Sequence, residues 1–265
     1  MDDSGSSTEA ALVLRHDSGG IATLTLNRAA QFNVLSEQMM SALQTALQAI
    51  ANDDAVRIVV LAAEGRAFCA GHDLKQMRAT PELDYYQTLF KQCSKLMLAI
   101  QQLPQPVIAR VQGIATAAGC QLVAMCDLAV ASSAASFAVS GINVGLFCAT
   151  PSVALSRNIA RKQAMEMLLT GDFIDAQTAL ARGLVNRVVA PEQLDAEVAA
   201  LAASILAKPA VAVAMGKQLF YRQLEMGIDA AYQLAGQTMA CNMMDDAALE
   251  GVQAFIDKRA PNWQQ

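Results

Sequence analysis

Histidine is nearly absent from this 265-residue chain. His16 and His72 are the two present, far apart in sequence, so a histidine-based zinc site is not expected. The six cysteines (Cys69, Cys93, Cys120, Cys126, Cys148 and Cys241) form no C-x-x-C pair, and a chain of this length needs no disulfide staples. They read as reduced, mostly buried thiols, which places the chain in the cytoplasm. No G-x-G-x-x-G or G-x-x-x-x-G-K-[ST] fingerprint occurs, which argues against dinucleotide and P-loop chemistry. Ser140-Gly141 lies outside any G-x-S-x-G elbow, so a serine hydrolase of that type has no support. Charged residues make up 16% and the formal net charge is -5, a balance that disfavours nucleic acid and anionic lipid as partners. No apolar run spans a membrane: residues 109–131 are broken by Arg110, Gln112, Gln121 and Asp127. The first residues, Met1 to Ser7, are acidic and polar, unlike a secretory signal or an Arg-rich transit peptide.

What is abundant is small and apolar. Hydrophobic residues reach 54% and the mean hydropathy is +0.30. Small side chains supply much of that value, and helix faces buried in an oligomer would supply the rest. At roughly 100–200 residues per domain, the length suits one large domain, alone or with a small appendage.

Along the chain, residues 1–10 read as a frayed tail. Leu12–Arg15 and Ile21–Leu26 flank Asp17-Ser18-Gly19-Gly20, a hairpin signal. Ser36 offers a helix N-cap, and Met39, Met40, Leu43, Leu47 and Ile50 follow at helical spacing. The apolar runs 56–63, 107–111 and 128–131 read as buried strands, with a helix over about 81–102 stopped by Pro104 and Pro106. Strands alternating with helices predict an α/β core covered on both faces. From about residue 150 the pattern reads as wholly helical, with helices expected after Pro191 and near 209–225, 228–244 and 247–258. The expected division is a core over 11–190 and a helical C-terminal region over 191–265.

Two loops of small residues each follow a buried strand: Phe68-Cys69-Ala70-Gly71-His72-Asp73-Leu74, and Gly113 through Cys120. Ligands of α/β proteins bind beyond the carboxyl ends of strands, and small residues let them approach the main chain. Two such loops can aim one N–H each at a single acyl oxygen, the requirement of an oxyanion hole. The same composition also suits plain close packing of helix on sheet, and the pattern alone leaves both readings open.

At these loops the sequence resembles the crotonase superfamily, the enoyl-CoA hydratase/isomerase family. The likeness runs from Asn27-Arg28 through Ala117-Ala118-Gly119-Cys120, Met125-Cys126-Asp127, Leu169-Thr170-Gly171 and Gly183-Leu184-Val185 to Lys258-Arg259. It implies an α/β fold, a spiral of ββα units, with a helical C-terminal region used in trimer contacts. A homotrimer, or two trimers paired, is implied, with an acyl-CoA thioester as ligand and no metal or further cofactor. By family register the oxyanion donors are the main-chain N–H groups of His72 and Ala118. Contacts to the acyl-CoA fall at Arg28, Ala70, Asp73, Leu74 and Lys258, and Lys75 and Arg259 are further candidates for CoA phosphates.

The two glutamates that handle water and proton in the family's hydratases fall here at Gln121 and Gly141. Neither ionises, and one general acid–base group is worth about 10²–10⁴-fold. The resemblance therefore implies thioester binding and polarisation but argues against standard hydration of a 2-enoyl-CoA. Asn143, Ser140, Thr150, Cys148 and the His72 side chain are the candidate replacements. Base-independent chemistry, as an acyl-CoA decarboxylase or thioesterase, and a non-catalytic acyl-CoA-binding or assembly role are the alternatives.

Overall fold

The computed structural model describes residues 10–263, so the tail expected over 1–10 lies, Ala10 apart, outside the described residues. Strands β1 (Val13–Ser18) and β2 (Ile21–Leu26) form the expected hairpin. It closes through Gly19 and Gly20, both at positive φ, as a two-residue turn of type I′ requires. Helix α1 (Glu37–Ala51) starts where Ser36 caps it, the side chain accepting from Met39 N. Then come β3 (Ile58–Ala63), β4 (Ala67–Cys69), α2 (Leu74–Ala79), α3 (Leu83–Gln102), β5 (Val107–Val111) and β6 (Ile114–Thr116). Helix α4 (Ala118–Met125) leads into β7 (Leu128–Ser132) and β8 (Ser136–Ala138), followed by α5 (Ala149–Asn158) and α6 (Arg161–Thr170). The chain continues through β9 (Ile174–Asp175), α7 (Ala176–Arg182), β10 (Arg187–Val189), α8 (Leu194–Leu206), α9 (Ala210–Gln223), α10 (Ile228–Met243) and α11 (Asp246–Ile256).

Two sheets result. One has the order β1-β2-β3-β5-β7-β10 and is parallel beyond its hairpin; the other has the order β4-β6-β8-β9. Alternation along the central strands assigns each face its own core. Val59, Leu61, Val107, Ala109, Ala129 and Ala131 join the main cluster with α1 and α3. Ile58, Val60, Ile108 and Val130 point the other way, onto Leu194, Val198, Leu201 and Ala202 of α8. Helix α8, which lies beyond the expected boundary at 190, is thus the cover of the sheet's second face.

The expectation of an all-helical chain after residue 150 is corrected by β9 and β10. Their two and three residues are too few to register as alternation, and they are strands because β8 and β7 pair with them. Among the described residues no single helix is long and apolar enough to cross a membrane.

One buried charge cluster pins α9 to the core. Lys217 Nζ donates to Asp127 Oδ2 (2.6 Å) and to the carbonyls of Ile100 and Gln105 (3.0 Å each). Asp127 also accepts from Val107 N and from Tyr221 Oη. Burial holds the Lys217 ammonium below its usual pKa, opposed by the neighbouring carboxylate. Removing one partner leaves an uncompensated buried charge, a loss of about 3–5 kcal/mol. Lys217→Met is therefore expected to cost that much in urea unfolding, and a loss under about 1 kcal/mol would contradict the role given to this cluster.

Candidate active site

Strands β4 and β6 are parallel neighbours, so the two loops singled out above leave the sheet side by side at one edge. The first loop is laced to the segment before α1: Ala70 N donates to Phe32 O (3.0 Å) and Leu35 N to Gly71 O (2.8 Å). In a parallel ladder that pairing leaves the His72 N–H on the opposite edge. The brace is completed by Asn33, which is fully buried at φ 53°. Its amide accepts from Arg28 N (2.8 Å) and donates to Glu64 O and Ala67 O (2.8 and 2.9 Å).

The second loop runs directly into α4. Ala118 is that helix's first residue, and amides of a first turn have no intrahelical acceptor. A Cβ on Gly119 would collide with Cys69 O, so the missing side chain lets α4 close against β4. Gly71 sits at φ +89°, and a Cβ there would lie 2.9 Å from Ala117 Cβ and 3.2 Å from Ala118 N. A side chain at 71 would stand over the second amide. Glycine keeps that N–H open.

These loops border a cavity of about 220 Å³. Its walls are mostly apolar, with Leu74, Met77, Phe90, Leu146, Phe147 and Pro151 among them; Ser140, Thr150 and Cys148 add polar atoms. Among the described residues no Asp, Glu, Lys or Arg lines it. His72 and Cys148 are its titratable side chains. Burial lowers the His72 pKa below the usual range, so the ring is neutral near pH 7. Its Nδ1 lies 3.4 Å from Leu35 O, the edge of the ring meets Phe90 (5.6 Å between centroids), and Nε2 is buried without a partner. Burial pushes the Cys148 thiol up, partly offset by the nearby main chain of Gly141.

Of the nine residues that the resemblance gives as oxyanion donors, acyl-CoA contacts or glutamate positions, the structure brings five onto this cavity, Ala70, His72, Leu74, Ala118 and Gly141, and the candidate replacements Ser140, Cys148 and Thr150 line it as well. Four others lie off its lining. Gln121 is buried on α4 with Oε1 unpaired. Asp73 caps α2, accepting from Lys75 N and Gln76 N. Arg28 donates to Ser36 Oγ at 3.3 Å, and Lys258 follows α11 at positive φ. At Gly141 a Cβ would meet Cys148 Sγ at 2.8 Å and Leu146 O at 2.6 Å. The thiol occupies the place from which a side chain at 141 would grow.

Positive φ falls one residue before the helix: Ala118 is helical, and Ala117 takes φ 51°, ψ -121°. Its N–H is fixed to Ala138 O (3.0 Å), so the surrounding sheet imposes the conformation. Such a backbone costs a residue with a side chain about 1–3 kcal/mol, and glycine avoids most of it. Sequence carried no signal for this strain, nor for the brace at Asn33. Ala117→Gly is expected to raise stability by about 1 kcal/mol after the added chain entropy of glycine is subtracted. Chemical denaturation measures this, and a less stable variant would contradict the strain.

Comparison with known proteins agrees with this architecture. The model of the enoyl-CoA hydratase/isomerase family matches residues 16–265. A mouse protein, enoyl-CoA hydratase domain-containing protein 3, is 44% identical over 259 residues, covering 98% of this chain and 86% of its own. Its human counterpart, as a crystal structure, superposes with a TM-score of 0.92 at 43% identity, covering 95% of this chain and 100% of that one. A Mycobacterium smegmatis enoyl-CoA hydratase structure gives a TM-score of 0.95 at 64% identity, covering 96% of this chain and 99% of that one. The cytoplasmic expectation is corrected by these relatives. The mouse protein and its frog and human counterparts are named mitochondrial, which points to mitochondria rather than the cytoplasm. Buried reduced thiols are compatible with any reducing compartment and could not tell the two apart. The fold and these matches agree over nearly the whole length: the chain belongs to the enoyl-CoA hydratase/isomerase family.

Proposed function

We propose that this protein binds an acyl-CoA thioester and polarises its carbonyl between the N–H groups of His72 and Ala118. The reading is carried by one observation: two unblocked main-chain amides border a mostly apolar cavity that no carboxylate lines. One oxyanion donor is worth about 2.7–4 kcal/mol in a reaction that develops charge on that oxygen. The same cavity has no strong base. Gln121 is an amide set back in α4, and Gly141 has no side chain and no room for one. Standard hydration of a 2-enoyl-CoA is therefore slow in this reading, because neither glutamate position holds a carboxylate to orient the water and take its proton.

A second reading is favoured by the same missing carboxylate. Decarboxylation of a malonyl-type CoA needs the hole and no base, since the carbanion forms by loss of CO₂. For assembly, a trimer is supported by exposed apolar side chains on the last helices, among them Phe220, Tyr232, Met239, Met244, Phe255 and Ile256.

Calorimetry and a hydration assay test the proposal together. Crotonyl-CoA is expected to bind. Its hydration is expected to run at least about 10²-fold slower than in a family member that has both glutamates, assayed beside it. Gly71→Ala is expected to weaken binding by obstructing Ala118 N. Turnover equal to that comparator and abolished by Gln121→Ala would refute the account of the missing bases.

A further inference from the structure

In a mostly apolar cavity wall one hydroxyl is fixed by a second. Ser140 lines the cavity, and its Oγ lies 2.8 Å from Thr116 Oγ1. Thr116 is a firm partner, because its branched Cβ stiffens χ1 and its strand β6 is paired on both sides, to β4 and to β8. The pair also stands beside the second amide. Thr116 pairs with Ala138 in the β6–β8 ladder, and Ala117 N donates to Ala138 O (3.0 Å). Ser140 and Ala118 each follow that pair by two residues.

Two hydroxyls bring two protons, and the bond between them uses one. If Thr116 donates, Ser140 still has its O–H to give; if Ser140 donates, it still has a lone pair to accept with. Among the described residues neither hydroxyl has another hydrogen-bond partner. In either arrangement Ser140 presents the cavity with hydrogen-bonding capacity that the protein does not use, on a wall otherwise formed by groups such as Met77, Phe90, Leu146 and Phe147.

We propose that Ser140, positioned by Thr116, determines specificity by hydrogen-bonding an uncharged oxygen carried on the acyl group close to the thioester. The preferred ligand is then a hydroxyacyl-CoA over the unsubstituted acyl-CoA of equal length. The inference rests on the acyl-CoA site proposed above and deepens it by naming the chemistry of the acyl group. With the carbonyl between the His72 and Ala118 amides, the first carbons of the acyl chain pass the wall beside Thr116. A hydroxyl on them exchanges a hydrogen bond with Ser140. A hydrogen in its place leaves Ser140 dry and unmatched, which is the costly case.

Calorimetry on the intact protein, with butyryl-CoA and each enantiomer of 3-hydroxybutyryl-CoA as probes, tests this. The wild type is expected to bind at least one enantiomer about 3–10-fold more tightly than butyryl-CoA, the worth of one net hydrogen bond between neutral groups. Ser140→Ala is expected to erase that preference. Thr116→Val is expected to diminish it and Thr116→Ser, which retains the hydroxyl, to restore it. A mere packing defect weakens all three ligands together and leaves their ratio unchanged. Equal binding of the three by the wild type, or tighter binding of butyryl-CoA, would overturn the inference and leave the acyl-CoA site standing. So would a preference that survives in Ser140→Ala, or one lost in Thr150→Val alone. An undiminished preference in Thr116→Val would overturn the positioning role of Thr116. Absence of binding of any of the three by the wild type would instead overturn the site itself. The first comparison uses the wild type alone, so it decides even where a variant fails to fold.

Discussion

The parallel pairing of β4 with β6 is the constraint from which the site follows. Parallel neighbours end at the same edge, so whatever loops leave them begin within reach of each other. Everything further is removal of obstacles. Gly119 lets α4 close on Cys69, Gly71 leaves Ala118 N uncovered, and the pairing with Leu35 leaves the His72 amide facing away from the Leu35 segment. The arrangement is fixed by main chain, which is why alanine at 117 and 118 is compatible with it. Alanine at 117 nevertheless holds the loop in a conformation that its methyl group resists.

What was legible in the sequence follows the physics of each signal. Long apolar runs such as 58–63 and 107–111 announce strands buried on both faces, and Ser36 announces a helix start through its side-chain oxygen. The two small-residue loops were legible as places where main chain can be approached, although composition could not separate a ligand site from tight packing. Family register located Gln121 and Gly141, but only coordinates show that the first is set back in α4 and that the Cys148 sulfur fills the place of the second. Features that depend on distant partners left no local trace. Asn33 is a brace because Glu64 and Ala67 expose carbonyls to it, and Lys217 is a clamp because Asp127 lies beneath it. The short strands β9 and β10 exist because other strands receive them.

Electrostatics gives the cavity its character. With no carboxylate, ammonium or guanidinium among the described residues of its lining, burial is the main influence on protonation: the imidazole is neutral and the thiol retains its proton. Such a lining suits an uncharged group, and in the proposed function negative charge is stabilised only by the His72 and Ala118 amides. In the proposed reading, the reactions within its reach are those whose charge develops on the thioester oxygen and whose proton transfers are few.

Vibrational spectroscopy tests directly whether the His72 and Ala118 amides meet on one oxygen. Bound acyl-CoA labelled with ¹³C at the thioester carbonyl is expected to show its C=O stretch at lower frequency than in free solution, because two N–H groups withdraw density from the oxygen. A ligand that binds stoichiometrically with its carbonyl stretch unshifted would mean the amides do not meet on that atom, and the proposed function would fall with them.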